Sequence, residues 1–359
     1  MPKHPVLALL FCAVALPVAA QSDPSITAPA TAPATSSVPA LPATPPSSDA
    51  PALLDTVVIP GQRPGPGLWK VSKNDHVLWI LGTQNPLPKE LIWRSREAEN
   101  RLAESQELLG PPGYGYGLRV TGPISFLKGL VMAPQIRGAS KNPGGLSLQD
   151  VLPPELYARW LPLKQKYLAK DNNVELDRPI FAAERLFETA LDQGGLTRSD
   201  TVSIVVNKLA KKAGLKLTVT QVFYEVEQMG EAIRNFKKSP MADQECFAKT
   251  LARLESDLDA MRARANAWAV GDIGKIEQLQ FTDQGLACGN AMDSNEAVKA
   301  RPAIAALPRQ ARARWVAAAE NALATNRSTF ALMPMPMLLD PKGYLSDLTA
   351  KGYTVEKPD

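Results

Sequence analysis

The chain has 359 residues, of which 40 are Lys or Arg and 36 Asp or Glu, giving a formal net charge of +4, and 45% are apolar. That length suits one large or two ordinary domains. Two histidines and three cysteines are present, and His4 and Cys12 fall in an N-terminal run that reads as removable. The others, His76, Cys246 and Cys288, are too few for a multi-histidine zinc site, a zinc-finger module or an iron–sulfur cluster. The near-even charge balance also argues against a nucleic-acid or membrane-surface binder, which requires a clustered basic stripe.

Residues 1–20 combine Lys3, the apolar run VLALLFCAVALPVA and the small residues Val18 and Ala20 before Gln21. The run is too short to span a bilayer, and the pattern predicts a secretory signal peptide. Cys12 lies inside the run instead of just after it, which excludes a lipoprotein anchor. Residues 21–66 are rich in Ala, Pro, Ser and Thr and run into the Gly/Pro stretch GQRPGPG (61–67). Such a segment buries too little surface to offset its chain entropy, so a disordered linker is expected. A cleaved signal followed by a tether predicts a periplasmic or secreted bacterial protein in an oxidising compartment, with no stable membrane insertion after cleavage.

The folded domain is expected over 67–359. Trp69 and Val71 flank Lys70, and after Ser72-Lys73-Asn74-Asp75 the run HVLWIL (76–81) ends at Gly82; this predicts a β-hairpin with a buried second strand. A helix from Pro88 to about Ala103 and a strand at Glu107-Leu108-Leu109 follow, a parallel strand–helix–strand unit by default. GPPGYGYG (110–117) lacks phosphate-loop spacing and reads as a surface loop or, alternatively, a flap whose two tyrosines cover a cleft. Helix-spaced apolar residues predict helices over 152–167, 179–191 and 199–213, the last with Val202, Val205, Val206 and Leu209 on one face. KLTVTQV (216–222) follows as a strand, then helices over about 241–269 and 273–286. Cys246 and Cys288 lie towards the far ends of that pair, so an antiparallel packing predicts a disulfide between them. STFALM (328–333) is a strand, Asp340 and Pro341 open a helix that Gly352 stops, and 353–356 is a last strand. The fold class expected is α/β: a mixed β-sheet formed by N- and C-terminal strand–helix–strand units, with a large helical middle segment.

Three stretches carry a family likeness. They are PGLWKVSKNDHVLWILGTQNPLPKEL (66–91), the Trp-x-x-Gly-Asp element Trp268-Ala269-Val270-Gly271-Asp272, and a C-terminal set of Phe330-Ala331-Leu332, Gly343-Tyr344-Leu345-Ser346-Asp347-Leu348 and Gly352-Tyr353-Thr354-Val355. Together they resemble the TraB/GumN family, which is similar to the Tiki metalloproteases and to the ChaN-like and erythromycin-esterase-like folds. The resemblance implies a metal-dependent hydrolytic site at two GxxH motifs on strand ends, joined by a glutamate and an arginine. Neutral imidazoles and a carboxylate hold a divalent ion, which polarises a carbonyl and activates water. In this chain Gly82-Thr83-Gln84-Asn85 stands at the first motif, with Asn85 in the histidine position. Pro334-Met335-Pro336-Met337 stands at the second, with Pro334 for its glycine and Met337 for its histidine. The glutamate falls at Pro111 and the arginine at Ala311, with Arg312 and Arg314 a register slip away.

The resemblance therefore implies a retained scaffold with an altered site: no catalytic residue, no metal and no other cofactor, and a polar cleft lined by Gly82, Gln84, Asn85, Pro334 and Met337. An amide is a poor metal ligand and cannot transfer protons near neutral pH. His76, at the start of its strand, reads as structural. Met333, Met335 and Met337 alternate, so on a strand they share one face, as a packing patch or, alternatively, a soft Cu(I) site. No GxSxG motif occurs, and the acid pairs Glu225/Glu227 and Asp257/Asp259 have spacings that do not share a helix face. The function expected is a non-catalytic binding or accessory protein, its partner an unidentified ligand or an envelope protein and not nucleic acid. The alternative is a metal-dependent hydrolase using non-histidine ligands, and a third reading is a structural part of an exported-polysaccharide or envelope system.

Overall fold

A computed structural model describes residues 65–91, 96–117, 134, 136–256, 258–279 and 284–358. The signal peptide expected at 1–20, and the linker expected at 21–66 but for residues 65 and 66, lie outside the described residues. Among the described residues the strands are β1 (Leu68–Lys73), β2 (His76–Thr83), β3 (Leu87–Pro88), β4 (Glu107–Leu109), β5 (Tyr114–Gly117), β6 (Leu196–Thr197), β7 (Lys216–Thr218), β8 (Val222–Glu225), β9 (Ser328–Pro334) and β10 (Thr354–Glu356). Six of them form one sheet in the order β10-β1-β2-β9-β4-β7. The β10–β1 and β1–β2 pairs are antiparallel, whereas β2–β9, β9–β4 and β4–β7 are parallel. Two short ladders stand apart from it, β3 with β6 and β5 with β8.

The hairpin joining β1 to β2 turns at Asn74, whose φ of 55° is in the left-handed region that Asn tolerates and branched side chains avoid. In β9, Phe330, Ala331, Leu332 and Met333 are all buried, so both faces of this strand are covered, which is why its sequence reads as an unbroken apolar run.

Besides shorter turns, the helices are α1 (Arg96–Ala103), α2 (Pro154–Tyr167), α3 (Pro179–Gln193), α4 (Thr201–Lys212), α5 (Met229–Lys238), α6 (Gln244–Ser256), α7 (Leu258–Ala269), α8 (Ile273–Gln278), α9 (Gln284–Ser294), α10 (Leu307–Thr325), α11 (Met335–Leu338) and α12 (Tyr344–Ala350). α2 and α3 begin on proline, whose missing N–H costs nothing in the first turn. Arg178, just before α3, is buried and donates to Phe236 O, Lys237 O and Ser239 O, closing the C-terminal end of α5. Two main cores result. One joins the sheet to Leu102 of α1, Val206 of α4, Trp268 of α7 and Trp315 of α10. The other is helical, built from Trp160, Leu186, Phe247, Leu251 and Met261. α7 belongs to both, with Met261 in the helical core and Trp268 under the sheet.

Several expectations need correction. β2 and β4 are parallel but not neighbours, because β9 lies between them. Pro88 does not open a helix: it pairs with Leu196 in the two-residue β3–β6 ladder, and α1 is described from Arg96. KLTVTQV is not one strand. β7 stops at Thr218, buried Thr220 donates its hydroxyl to Gly110 O and Pro111 O, and the chain re-enters a different ladder at Val222. That ladder uses Tyr114–Gly117, so half of the expected surface loop is strand β5. The long helix over 241–269 is described as two, α6 and α7, and Cys288 sits in a separate helix, α9. α9 packs on α6 and brings Cys246 and Cys288 into a disulfide, with Cα atoms 4.6 Å apart. α4 buries Val202, Val206 and Ala210 and turns Val205 outward. The last helix starts at Tyr344 after Gly343; Asp340 accepts from Lys342 N–H at 2.9 Å in the preceding turn.

Candidate functional site

β2 and β9 run side by side with Gly82 opposite Met333 and Thr83 opposite Pro334. Gln84-Asn85 and Met335–Met337 therefore leave the sheet together, at the C-terminal ends of parallel strands. In α/β sheets that is the edge at which ligands bind. The five positions singled out from sequence, Gly82, Gln84, Asn85, Pro334 and Met337, are thus near one another.

Gly82 is the floor. Its carbonyl accepts a hydrogen bond of 2.6 Å from buried Trp268 Nε1, so the Trp-x-x-Gly-Asp element props this strand end. A Cβ added at Gly82 would collide with Met335 Sδ and lie 3.0 Å from Leu338 Cδ1 and 3.2 Å from Trp69 Cζ3. Gln84 is 4% exposed. Its Nε2 donates to Asn85 O at 3.3 Å, while its Oε1 is buried with no hydrogen-bond partner among the described residues. Asn85 is exposed and donates from Nδ2 to Arg198 O at 2.7 Å.

On the other strand end Pro334 is half-buried, Met333 and Met335 are buried, and Met337 is half-buried against the sheet core. The alternation expected of the three methionines is corrected here. Only Met333 is on the strand; Met335 opens the one-turn helix α11, so the three thioethers do not share a strand face.

Arg198, whose backbone carbonyl holds the Asn85 amide, carries its side chain into a group of charges not singled out from the sequence. Arg198 pairs with Glu184 of α3, and its guanidinium stands 5.7 Å over the Phe187 ring. Glu188 is one turn further along α3. Crowding by the surrounding protein, chiefly, and then the charge of Glu184 push its carboxyl above the usual glutamate range, against the pull of Arg198. The i,i+4 spacing of Glu184 and Glu188 was the available signal.

Pro111 and Ala311 stand at the two other positions to which the resemblance points. Pro111 follows β4, and Ala311 is buried on α10. Arg312 makes a two-pronged pair with Asp347 at 2.6 and 2.7 Å, and Arg314 donates to Val219 O at 3.2 Å. His76 is at the opposite end of β2, its Nδ1 2.7 Å from Asn326 O. Among the described residues no group of three or more His, Cys, Asp or Glu side chains is close enough together to hold a metal ion. The residues at the strand ends do not fit a hydrolytic divalent cation: Asn85 offers only a neutral amide oxygen, Met337 offers a soft thioether, and Glu184 is engaged by Arg198. No helix among the described residues is long and apolar enough to cross a membrane.

A scan against protein families matches the TraB/PrgY/gumN family over residues 67–357. Searches of curated proteins and of solved structures give no match.

Proposed function

Because the chain belongs to the TraB/PrgY/gumN family, we propose that it is a non-catalytic, exported member that uses the family scaffold to bind a ligand or an envelope protein at the paired ends of β2 and β9. The observation that carries this reading is the pair of residues there. Asn85 and Met337 occupy the positions where the family resemblance expects histidines, and neither supplies a general base or a hard metal ligand. Binding chemistry is present instead. Gln84 Oε1 is a buried acceptor without a donor among the described residues, and a group left so costs about 1–3 kcal/mol. A ligand presenting an N–H or O–H group to it, such as a peptide or a sugar, recovers that cost. The N-terminal signal pattern and the Cys246–Cys288 bridge support export to an oxidising compartment.

One observation favours a second reading. Glu184 and Glu188, one turn apart on α3 near Arg198, are carboxylates of the kind a hydrolase with non-histidine ligands would use once the Arg198–Glu184 pair opens. Peptidase and esterase assays of the purified protein with added divalent metals separate the two. No turnover above buffer is expected. Metal-dependent turnover that EDTA removes and that Asn85→Ala or Glu184→Gln abolishes would establish the hydrolase and end the binding-only reading.

A further inference from the structure

α4 packs on the sheet core through Val202, Val206 and Ala210 and leaves its other side to solvent. At about 100° per residue, Ile204, Val205, Lys208, Lys211 and Lys212 fall within an arc of roughly 120° on that outward side. All five are exposed, Ile204 at 60% and Val205 at 42%. Both figures are high for β-branched aliphatic residues, which the interior normally takes up. No ion pair among the described residues engages Lys208, Lys211 or Lys212, whereas Lys216, just beyond the helix, is committed to Glu107 at 3.0 Å. The segment 201–224 contains no acidic residue. A chain with nearly balanced charge thus gathers on one helix face two exposed aliphatic side chains followed, towards the C-terminal end, by three cations with no ion pair among the described residues.

We propose that this face of α4 is a docking surface for an anionic phospholipid bilayer. The three ammonium groups meet lipid phosphates, and Ile204 and Val205 enter the boundary between headgroups and acyl chains. The combination selects the partner. An anionic polysaccharide satisfies the lysines but gives the aliphatic pair nowhere to go, and an apolar protein groove leaves three ammonium groups facing no counter-charge. Docking of this kind is peripheral and reversible, because one short helix face buries little apolar area. The inference stands whether or not the strand-end cleft binds a ligand.

The test is co-sedimentation of the full chain with vesicles of phosphatidylglycerol and phosphatidylcholine against vesicles of phosphatidylcholine alone. The neutral vesicles give the baseline for the apolar N-terminal run, which every variant shares. Expected are binding that rises with phosphatidylglycerol content and falls with salt, a drop of more than tenfold in Lys208→Glu/Lys211→Glu/Lys212→Glu, and a smaller drop in Ile204→Ser/Val205→Ser. Unchanged circular dichroism of these surface variants shows that the fold is intact. Binding equal on both vesicles, absent from both, or unaltered by the triple charge reversal would overturn the proposal. So would either of two other results: binding to dextran sulfate that is at least as strong and indifferent to Ile204→Ser/Val205→Ser, or self-association without lipid that those two substitutions abolish.

Discussion

At Gly82 the missing side chain is a packing requirement. The carbonyl is held by Trp268, and the space that a methyl group would need is taken by Met335, Leu338 and Trp69. Gly82→Ala is therefore expected to destabilise the fold by about 1–3 kcal/mol, the usual cost of forcing an extra carbon into a filled core, read as a lower urea midpoint with an unchanged slope. An unchanged midpoint would mean that Met335 moves aside freely. Gly82 itself was legible in sequence as a strand end, but its crowding was not, since Trp268 and Met335 come from segments far along the chain. Asn85 shows the same division. The sequence marked it by its motif position, while the contact that fixes its amide, Arg198 O, lies 113 residues away.

Among elements, β4, β7 and the start of β9 are tied by one carboxylate. Buried Glu107, first in β4, accepts from the Thr218 hydroxyl of β7 and from Asn326 Nδ2 at 2.7 Å, just ahead of β9, and pairs with Lys216. Burial alone would raise its carboxyl, but the hydrogen bonds from Thr218, Asn326 and Lys216, with the Lys216 charge, together hold it below the ordinary range. The folded state therefore favours the ionised form. Its contribution is complete above the unfolded glutamate value of about 4.3 and is lost as pH falls through the lower folded value. Melting temperature followed from pH 7 to pH 3 should fall less steeply in Glu107→Gln than in the parent, from a lower starting point at neutral pH. Parallel curves would show that Glu107 does not couple folding to protons. Elements of this sheet were legible wherever burial is two-sided and the apolar run is long, as in β2 and β9. The β5 and β8 ladder was not, because Gly-Tyr repetition carries no alternation of apolar and polar residues. The outward turn of Val205 was hidden for a related reason: helical spacing in α4 gives two candidate apolar faces, and only contact with the sheet chooses between them.

For the molecule as a whole, the Cys246–Cys288 bridge closes a 42-residue separation between α6 and α9. By the chain-entropy account a loop of that size contributes about 4 kcal/mol, a large share of the roughly 5–15 kcal/mol that keeps a domain folded. Alkylation without reductant followed by mass analysis should find neither cysteine labelled, and Cys246→Ser/Cys288→Ser should melt several degrees lower in calorimetry. Two labelled thiols, or an unchanged melting temperature, would show that the helical core does not depend on the link. The pairing was legible from the cysteine count and compartment. Its geometry was not, because the sequence reads Cys288 as lying just past a helix that ends near residue 286, whereas it sits inside a separate helix, α9.

The position of β9 bears on how the chain is made. The strand that fills the middle of the sheet ends at Pro334, only 25 residues before the last residue given, while its partners β2 and β4 are finished by residue 109. Until β9 is made those two partners have no central strand to join, and the sheet cannot close from β2 and β4 alone. Late completion of this kind delays closure of the sheet until β9 has been made, and it leaves the earlier strands in a non-native state until then.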